Sequence, residues 1–447
     1  MTAFAETAER PGLLSPAHAA TTVGMCALIA FVAFETVAVT TVMPSVTRDL
    51  SGADLYALSF AAPLASGVIG MVAAGTLSDR RGPALPLVAS MVLFSIGLGI
   101  CGAAGSMEML VGGRLVQGVG GGALTVGLYV LVGIVYPPDL RPVLFASFSA
   151  AWVLPSLFGP ALAAVIADNV GWRWVFLSPV ALVAVAASLI APSLRRGNAF
   201  TRVDQAGAGR LAWATIGAMA VLSLELLGSA RGATGLGAIA SLAFVVLALS
   251  RLLPRGSLTG RRGVPAVIAT RGLMSAGFFC VEAYIVYVLQ EQWALTPSRA
   301  GVALSVVGVT WALASQVQGR LGSRLSHARA MRIASLLVLS GVFALALTVW
   351  LDGPAWLAGG TYVLAGAGMG FGFSRTSVAV LDECSDADRG FNSAALSIAD
   401  SLGAALSLSI SGVVFAVAAR HDVNSFLAVF VFATGIGALG VLASRRT

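Results

Sequence analysis

Long apolar runs alternate along this chain with short gaps in which arginine, proline and glycine gather. A helix needs about 20 apolar residues to cross the roughly 30 Å of a bilayer's hydrocarbon. Runs at 22–47, 55–77, 84–104, 107–135, 142–168 and 172–192 meet that length. A polar, glycine-containing stretch at 193–210 follows, then two shorter runs at 211–228 and 234–253. After a second arginine-rich gap the pattern resumes at 265–290, 298–319, 330–351, 354–381, 391–418 and 424–443. The pattern predicts an all-α polytopic membrane protein of fourteen helices, two six-helix bundles with a helix pair inserted between them. The expected divisions are a tail at 1–21, a bundle at 22–192, linkers and the inserted pair at 193–263, a second bundle at 264–443 and a tail at 444–447.

Composition narrows the class. The chain is 57% hydrophobic and 11% charged, with a mean hydropathy of +0.90, where soluble domains carry about 25% charged residues. Such a chain has too few polar groups to clothe a water-soluble globule, which excludes a soluble enzyme, a nucleic-acid binder and a disordered protein. Helices satisfy their own backbone hydrogen bonds in lipid. A transmembrane barrel would instead alternate in polarity over segments of about 10 residues.

The sequence pI near 9.8 reflects topology rather than a nucleic-acid partner. All 27 basic residues are arginine. With both termini on one side, twenty arginines fall on that side and five (Arg48, Arg173, Arg231, Arg299, Arg420) on the other, leaving Arg114 and Arg375 within runs. Positive charge marks the cytoplasmic side, so both termini are expected there. Losing the two short runs together leaves this parity unchanged, so charge does not decide between twelve and fourteen spans. All-arginine usage and short loops suggest a bacterial inner membrane, and the first twenty residues lack the ordered parts of a removable signal peptide. Four scattered cysteines and three distant histidines suggest no metal site, and the absence of nucleotide-binding motifs points away from ATP. No cofactor is expected, and the chain is expected to act as a monomer.

An internal repeat is visible. Gln117-Gly118-Val119-Gly120-Gly121-Gly122 matches Ala365-Gly366-Ala367-Gly368-Met369-Gly370 at an offset of 248, and the same offset carries Arg141 onto Arg389. Glu35 and Glu282 lie 247 apart, each in the first helix of its half. Related halves of this kind suit a transporter that handles its substrate near the bilayer midplane.

The loop after the second run reads Gly75-Thr76-Leu77-Ser78-Asp79-Arg80-Arg81-Gly82. It resembles the G-x-L-x-D-R-x-G signature of the major facilitator superfamily. That resemblance implies a cytoplasmic gate of Gly75, Asp79, Arg80 and Gly82, joined by Arg141, that must release when the protein opens inward. An ordinary charged loop is the plainer reading of the same residues, and the equivalent loop of the second half has Ser323 where the aspartate would be. Arg114, Gln117 and Gly118 resemble the family's R-x-x-Q-G pattern, although an arginine about two turns into its helix can also snorkel to the surface.

Glu35-Thr36-Val37-Ala38-Val39-Thr40-Thr41-Val42-Met43-Pro44 is similar to the first-helix motif of the fourteen-helix drug:proton antiporters, with Glu where Asp is usual and Thr40 where Asn is common. A carboxyl stranded near mid-span can take a proton from one side and release it when rehydrated or displaced by a cation. Pro155, Gly159 and Pro160, followed by Ala163-Ala164, resemble the antiporter signature of the superfamily's exporters, and a generic proline kink is the alternative. Val203-Asp204-Gln205-Ala206-Gly207 resembles the start of the extra helix pair in fourteen-helix exporters.

In the second half Glu282 and Asp400 are candidates for proton coupling beside Glu35 and Arg114. Arg375 and Asp400 can neutralise each other, or Asp400 can line a wet cavity. Phe34, Trp152, Phe279, Tyr284, Tyr287 and Arg375 are the expected substrate cavity, a surface suited to lipophilic cations. Glu225 fits a proton site, a lipid-headgroup contact or a helix-pair partner equally well. The resemblance implies a secondary transporter exporting small lipophilic compounds in exchange for protons. A lipid or metabolite transporter of the same fold, and a non-transporting membrane receptor or scaffold, are the competing readings.

Overall fold

Prolines and glycines at the chain's turns, together with short polar caps, cut the apolar sequence into helices. Ser106, Ser326 and Asn424 each accept a hydrogen bond from the backbone N–H three residues on, which satisfies one of the free donors at a helix start. The computed structural model describes residues 12–16, 18–137, 140–196, 208–229, 235–321, 324–384 and 389–447. Its first half holds α1 (Ala19–Asp49), α2 (Tyr56–Arg81), α3 (Ala84–Gly102), α4 (Met107–Val135), α5 (Arg141–Ala151), α6 (Val153–Val170) and α7 (Arg173–Arg196). Two helices follow, α8 (Ala208–Ser229) and α9 (Gly235–Leu252). The second half holds α10 (Val264–Glu291), α11 (Pro297–Leu321), α12 (His327–Trp350), α13 (Ala355–Glu383), α14 (Arg389–Arg420) and α15 (Ser425–Ser444).

Two expectations change. Among the described residues, twelve helices are long and apolar enough to cross a membrane, not fourteen. The two that fall short are α9, whose apolar stretch is brief, and α13, whose many glycines together with Arg375, Asp382 and Glu383 dilute its hydropathy. The run expected as one helix at 142–168 is instead α5 and α6, broken at Trp152. Pro155 explains the break. It has no N–H for the Ala151 carbonyl, and its ring crowds the preceding turn. The Val203–Gly207 motif, Arg231 and Ser323 lie outside the described residues.

The repeat in sequence is a repeat in packing. A Cβ at Gly118 or Gly122 would strike α2, at Pro63–Ser66 and Gly67, whereas one at Gly120 would strike α3 at Phe94. In the second half a Cβ at Gly366 or Gly370 would strike α11, at Val307 and Trp311, and one at Gly368 would strike α12 at Ala334 and Val338. Residues two apart point to opposite sides of a helix, and residues four apart share one side. The glycines thus let α4 slot between α2 and α3 as α13 slots between α11 and α12.

The helix contacts define two ends, the terminal end that holds both chain termini and the far end opposite. Helix α8 belongs to neither repeat. Its Ala214, Ala218 and Val221 share one buried cluster with Leu58 and Ala62 of α2 and with Leu402 and Ala405 of α14. It therefore lies across a seam between the halves.

Candidate functional site

Glu35 lies midway along α1 and is 5% exposed, and Arg114 of α4 is 4% exposed. An Arg114 Nη1 donates to Glu35 Oε1 and also to Gln117 Oε1 at 2.7 Å, while Nε donates to the Ser59 carbonyl at 3.0 Å. A cation this deep needs a partner, and here it has a carboxylate, an amide and a carbonyl from three helices. The arginine faces inward rather than snorkelling. The arrangement holds a charge pair that a proton or a competing cation can break.

In the second half the partners differ from those expected. Asp400 pairs with Arg271 of α10, at 2.7 Å from Nε, and not with Arg375. Arg271 also donates to the Phe373 carbonyl at 2.7 Å and to Thr376 Oγ1 at 2.9 Å, its guanidinium lies over the Phe373 ring, and Ser275 donates to Asp400. Arg375 is 7% exposed and donates to the Leu325 carbonyl. Sequence reasoning grouped Arg271 with the cytoplasmic arginines because it lies near the start of its run. The signal was nonetheless present, since Arg271 stands seven residues inside an apolar stretch, as Arg114 does. Glu282 is half-buried on α10, one helical turn beyond Phe278.

Two of the expected cavity residues, Tyr284 and Tyr287, are packed against other aromatic rings. Tyr284 is 1% exposed. With Tyr287 it packs at a tilt against Tyr56 of α2, at 5.4 and 4.7 Å between ring centroids, and stacks on Phe415 of α14 at 5.5 and 6.1 Å. The Tyr56 hydroxyl donates to the Ala283 carbonyl. These tyrosines are an aromatic plug between the halves, not an open wall, because Tyr56 brings the first half onto them. Phe279 packs edge-on to Phe278, Phe34 lies beside Gly159, and Trp152 is 42% exposed at the helix break.

Polar contacts join the halves at the far end alone among the described residues. Arg48 of α1 reaches Glu291 at 3.0 Å and Gln290 at 3.2 Å, and Ser298 of α11 reaches Asp168 of α6 at 3.4 Å. The antiporter-like residues belong to this contact, for a Cβ on Gly301 of α11 would meet Pro160 at 3.3 Å and Thr41 at 3.2 Å. At the terminal end each half bonds to itself, Thr22 to Tyr136 at 2.7 Å and His327 to Asp382 at 3.1 Å, and Arg446 of the C-terminal tail bonds to Thr259 of the linker before α10 at 2.9 Å.

The expected gate is apart here. Asp79 and Arg80 are exposed. Arg141 does not reach Asp79 but donates to the Tyr136 and Gly133 carbonyls at 2.9 and 2.7 Å. Gly82 ends α2 at φ +79°, a conformation glycine adopts freely, and Gly75 faces Val126 of α4.

Known proteins match this chain over nearly its whole length. A probable multidrug-efflux transporter of Mycobacterium tuberculosis is 26% identical over 432 residues, covering 90% of this chain and 89% of its own. Multidrug resistance protein 3 of Bacillus subtilis is 26% identical over 395 residues, covering 86% and 76%. The multidrug efflux pump SdrM of Staphylococcus aureus is 24% identical over 431 residues, covering 92% and 94%. The fold is similar to that of a POT family transporter crystallised with a thioalcohol conjugated peptide, with a TM-score of 0.70 at 14% identity, covering 95% and 94%. It is also similar to a D-xylose-proton symporter, at 0.66 and 16%, covering 95% and 96%. The family model described as Major Facilitator Superfamily matches residues 24–408. A multi-span membrane transporter and not an enzyme, this chain belongs to the Major Facilitator Superfamily.

Proposed function

We propose that this chain exports small lipophilic compounds, cations among them, in exchange for protons, by alternating access between its two halves. The observation that carries this reading is the buried Glu35–Arg114 pair. In isolation its two charges would be costly in a low-dielectric interior, and a proton on Glu35 dissolves the pair and frees Arg114 to reorient. Asp400 with Arg271 offers a second pair of the same kind in the other half, 21% exposed on the aspartate side chain and thus reachable by water. Glu282 is the third carboxyl. The multidrug-efflux relatives support the cargo class.

The far-end contacts and the separated Asp79 and Arg141 support a conformation closed at the far end and open at the terminal end. On this reading the terminal end is cytoplasmic, in a bacterial inner membrane, and the chain works as a monomer without a cofactor. We also infer fourteen crossings, with α9 and α13 added to the twelve. α13 fills in its half the place that α4 fills in the other, and α9 returns the chain from the far end to the terminal end after α8.

Purified protein in proteoliposomes tests the coupling. An imposed pH gradient, acidic on the far-end side, is expected to drive a fluorescent lipophilic cation out of the terminal-end compartment. Glu35→Gln is expected to abolish that uphill movement while leaving downhill exchange. Gradient-driven movement that persists in Glu35→Gln refutes the role of Glu35.

A further inference from the structure

Glu225 lies on α8, outside both repeated halves, and its side chain is 1% exposed. It points into the place where the halves touch. A Cβ on Gly412 of α14 would sit 2.7 Å from Glu225 Oε1 and 2.9 Å from the Ala57 Cβ of α2. One hydrogen atom on Gly412 is thus all that separates α8, α14 and α2 at this point. The Ser409 hydroxyl, one turn earlier on α14, and the Leu58 backbone of α2 lie against the same carboxyl. Tyr284 of α10 lies within electrostatic reach of it, and the Tyr56 ring of α2 packs tilted against Tyr284 at 5.4 Å. The cation on α9, Arg251, lies at the other end of the pair over Trp213.

We propose that Glu225 is a proton-operated latch on the far-end seam between α2 and α14, so that the inserted helix pair senses protons for the opening of that seam. The inference rests on the alternating-access reading, because the latch acts on the opening that reading requires. A protonated carboxyl fits between a glycine, an alanine and a hydroxyl. An ionised one in the same place calls for water, which reaches it when α2 and α14 part. Loss of the proton therefore favours the parted seam, and a proton favours the closed one. The lipid-headgroup role is set aside because the side chain is enclosed by protein on every side.

Hydrogen exchange of protein in nanodiscs tests this without any transport measurement. The readout is the far-end backbone of α2 at 56–62 and of α14 at 409–418, compared at about pH 5.5 and about pH 8 after correction for intrinsic exchange. A difference of one unit in proton affinity between closed and parted seams is worth a factor of about ten. The wild type is expected to open about tenfold more at the higher pH, and Glu225→Gln is expected to lose that dependence and stay closed at both. Glu225→Asp is expected to restore a pH response. Gly412→Ala, which forces a methyl between the three helices, is expected to raise exchange at both pH values.

Equal pH dependence in wild type and Glu225→Gln overturns the latch, as does a wild type without pH dependence. Unchanged exchange in Gly412→Ala overturns the contact geometry even if Glu225→Gln does not fold. None of these outcomes touches the export reading, which the proteoliposome flux tests separately.

Discussion

Replacing Glu35 by Gln leaves Arg114 as an unmatched cation at 4% exposure. Breaking a buried ion pair by removing one partner costs about 3–5 kcal/mol. The structure places this case at the lower end. Arg114 keeps its hydrogen bonds to the Ser59 carbonyl and the Gln117 amide oxygen, and glutamine still offers an acceptor, so a loss of about 3 kcal/mol is expected. Arg114→Gln strands the carboxylate in the same way. The double substitution strands neither charge and is expected to cost less than the two single changes together, by roughly 2–3 kcal/mol. Reversible unfolding in mixed micelles, run on the wild type, both single variants and the double, reads this coupling directly. Additivity within about 0.5 kcal/mol refutes the claim that the two side chains are a coupled buried pair, and with it the switch built on them.

Two further outcomes follow from the same geometry. Gly122→Ala and Gly370→Ala each drive a methyl into a neighbouring backbone, at Gly67 and Trp311, and each is expected to destabilise by about 1–3 kcal/mol. Gly99→Ala has open space and serves as the near-neutral control in a thermal unfolding series. Arg271→Ala strands Asp400 and is expected to cost about 3 kcal/mol. Arg48→Ala breaks a pair whose side chains are 52% and 44% exposed and is expected to change stability by under about 1 kcal/mol; similar losses for the two contradict the burial argument.

Much of the architecture was legible in the residues. The runs at 84–104 and 107–135 reappear as α3 and α4 within two residues, because lipid leaves the backbone no choice but helix wherever about 20 apolar residues run together. The partners of the charges were not legible. Asp400 had Arg375 and Arg271 within reach of any sequence argument, and neither residue type nor spacing separates them. The tyrosines of α10 read as cavity wall until Tyr56 arrives from the other half and packs against them.

The sequence alone determined the membrane class, the helix series, the repeat and the presence of charges that hydrocarbon does not tolerate singly. These are local properties: hydropathy, backbone hydrogen bonding and the exposure cost of an ionised group act on each segment wherever it is placed. Tertiary structure alone decided which charge meets which, and that α8 lies over the seam with Glu225 against Gly412. Those depend on which faces of distant helices are brought together. A helix presents several faces of similar apolarity, and the choice among them is made by close packing between segments far apart in the chain.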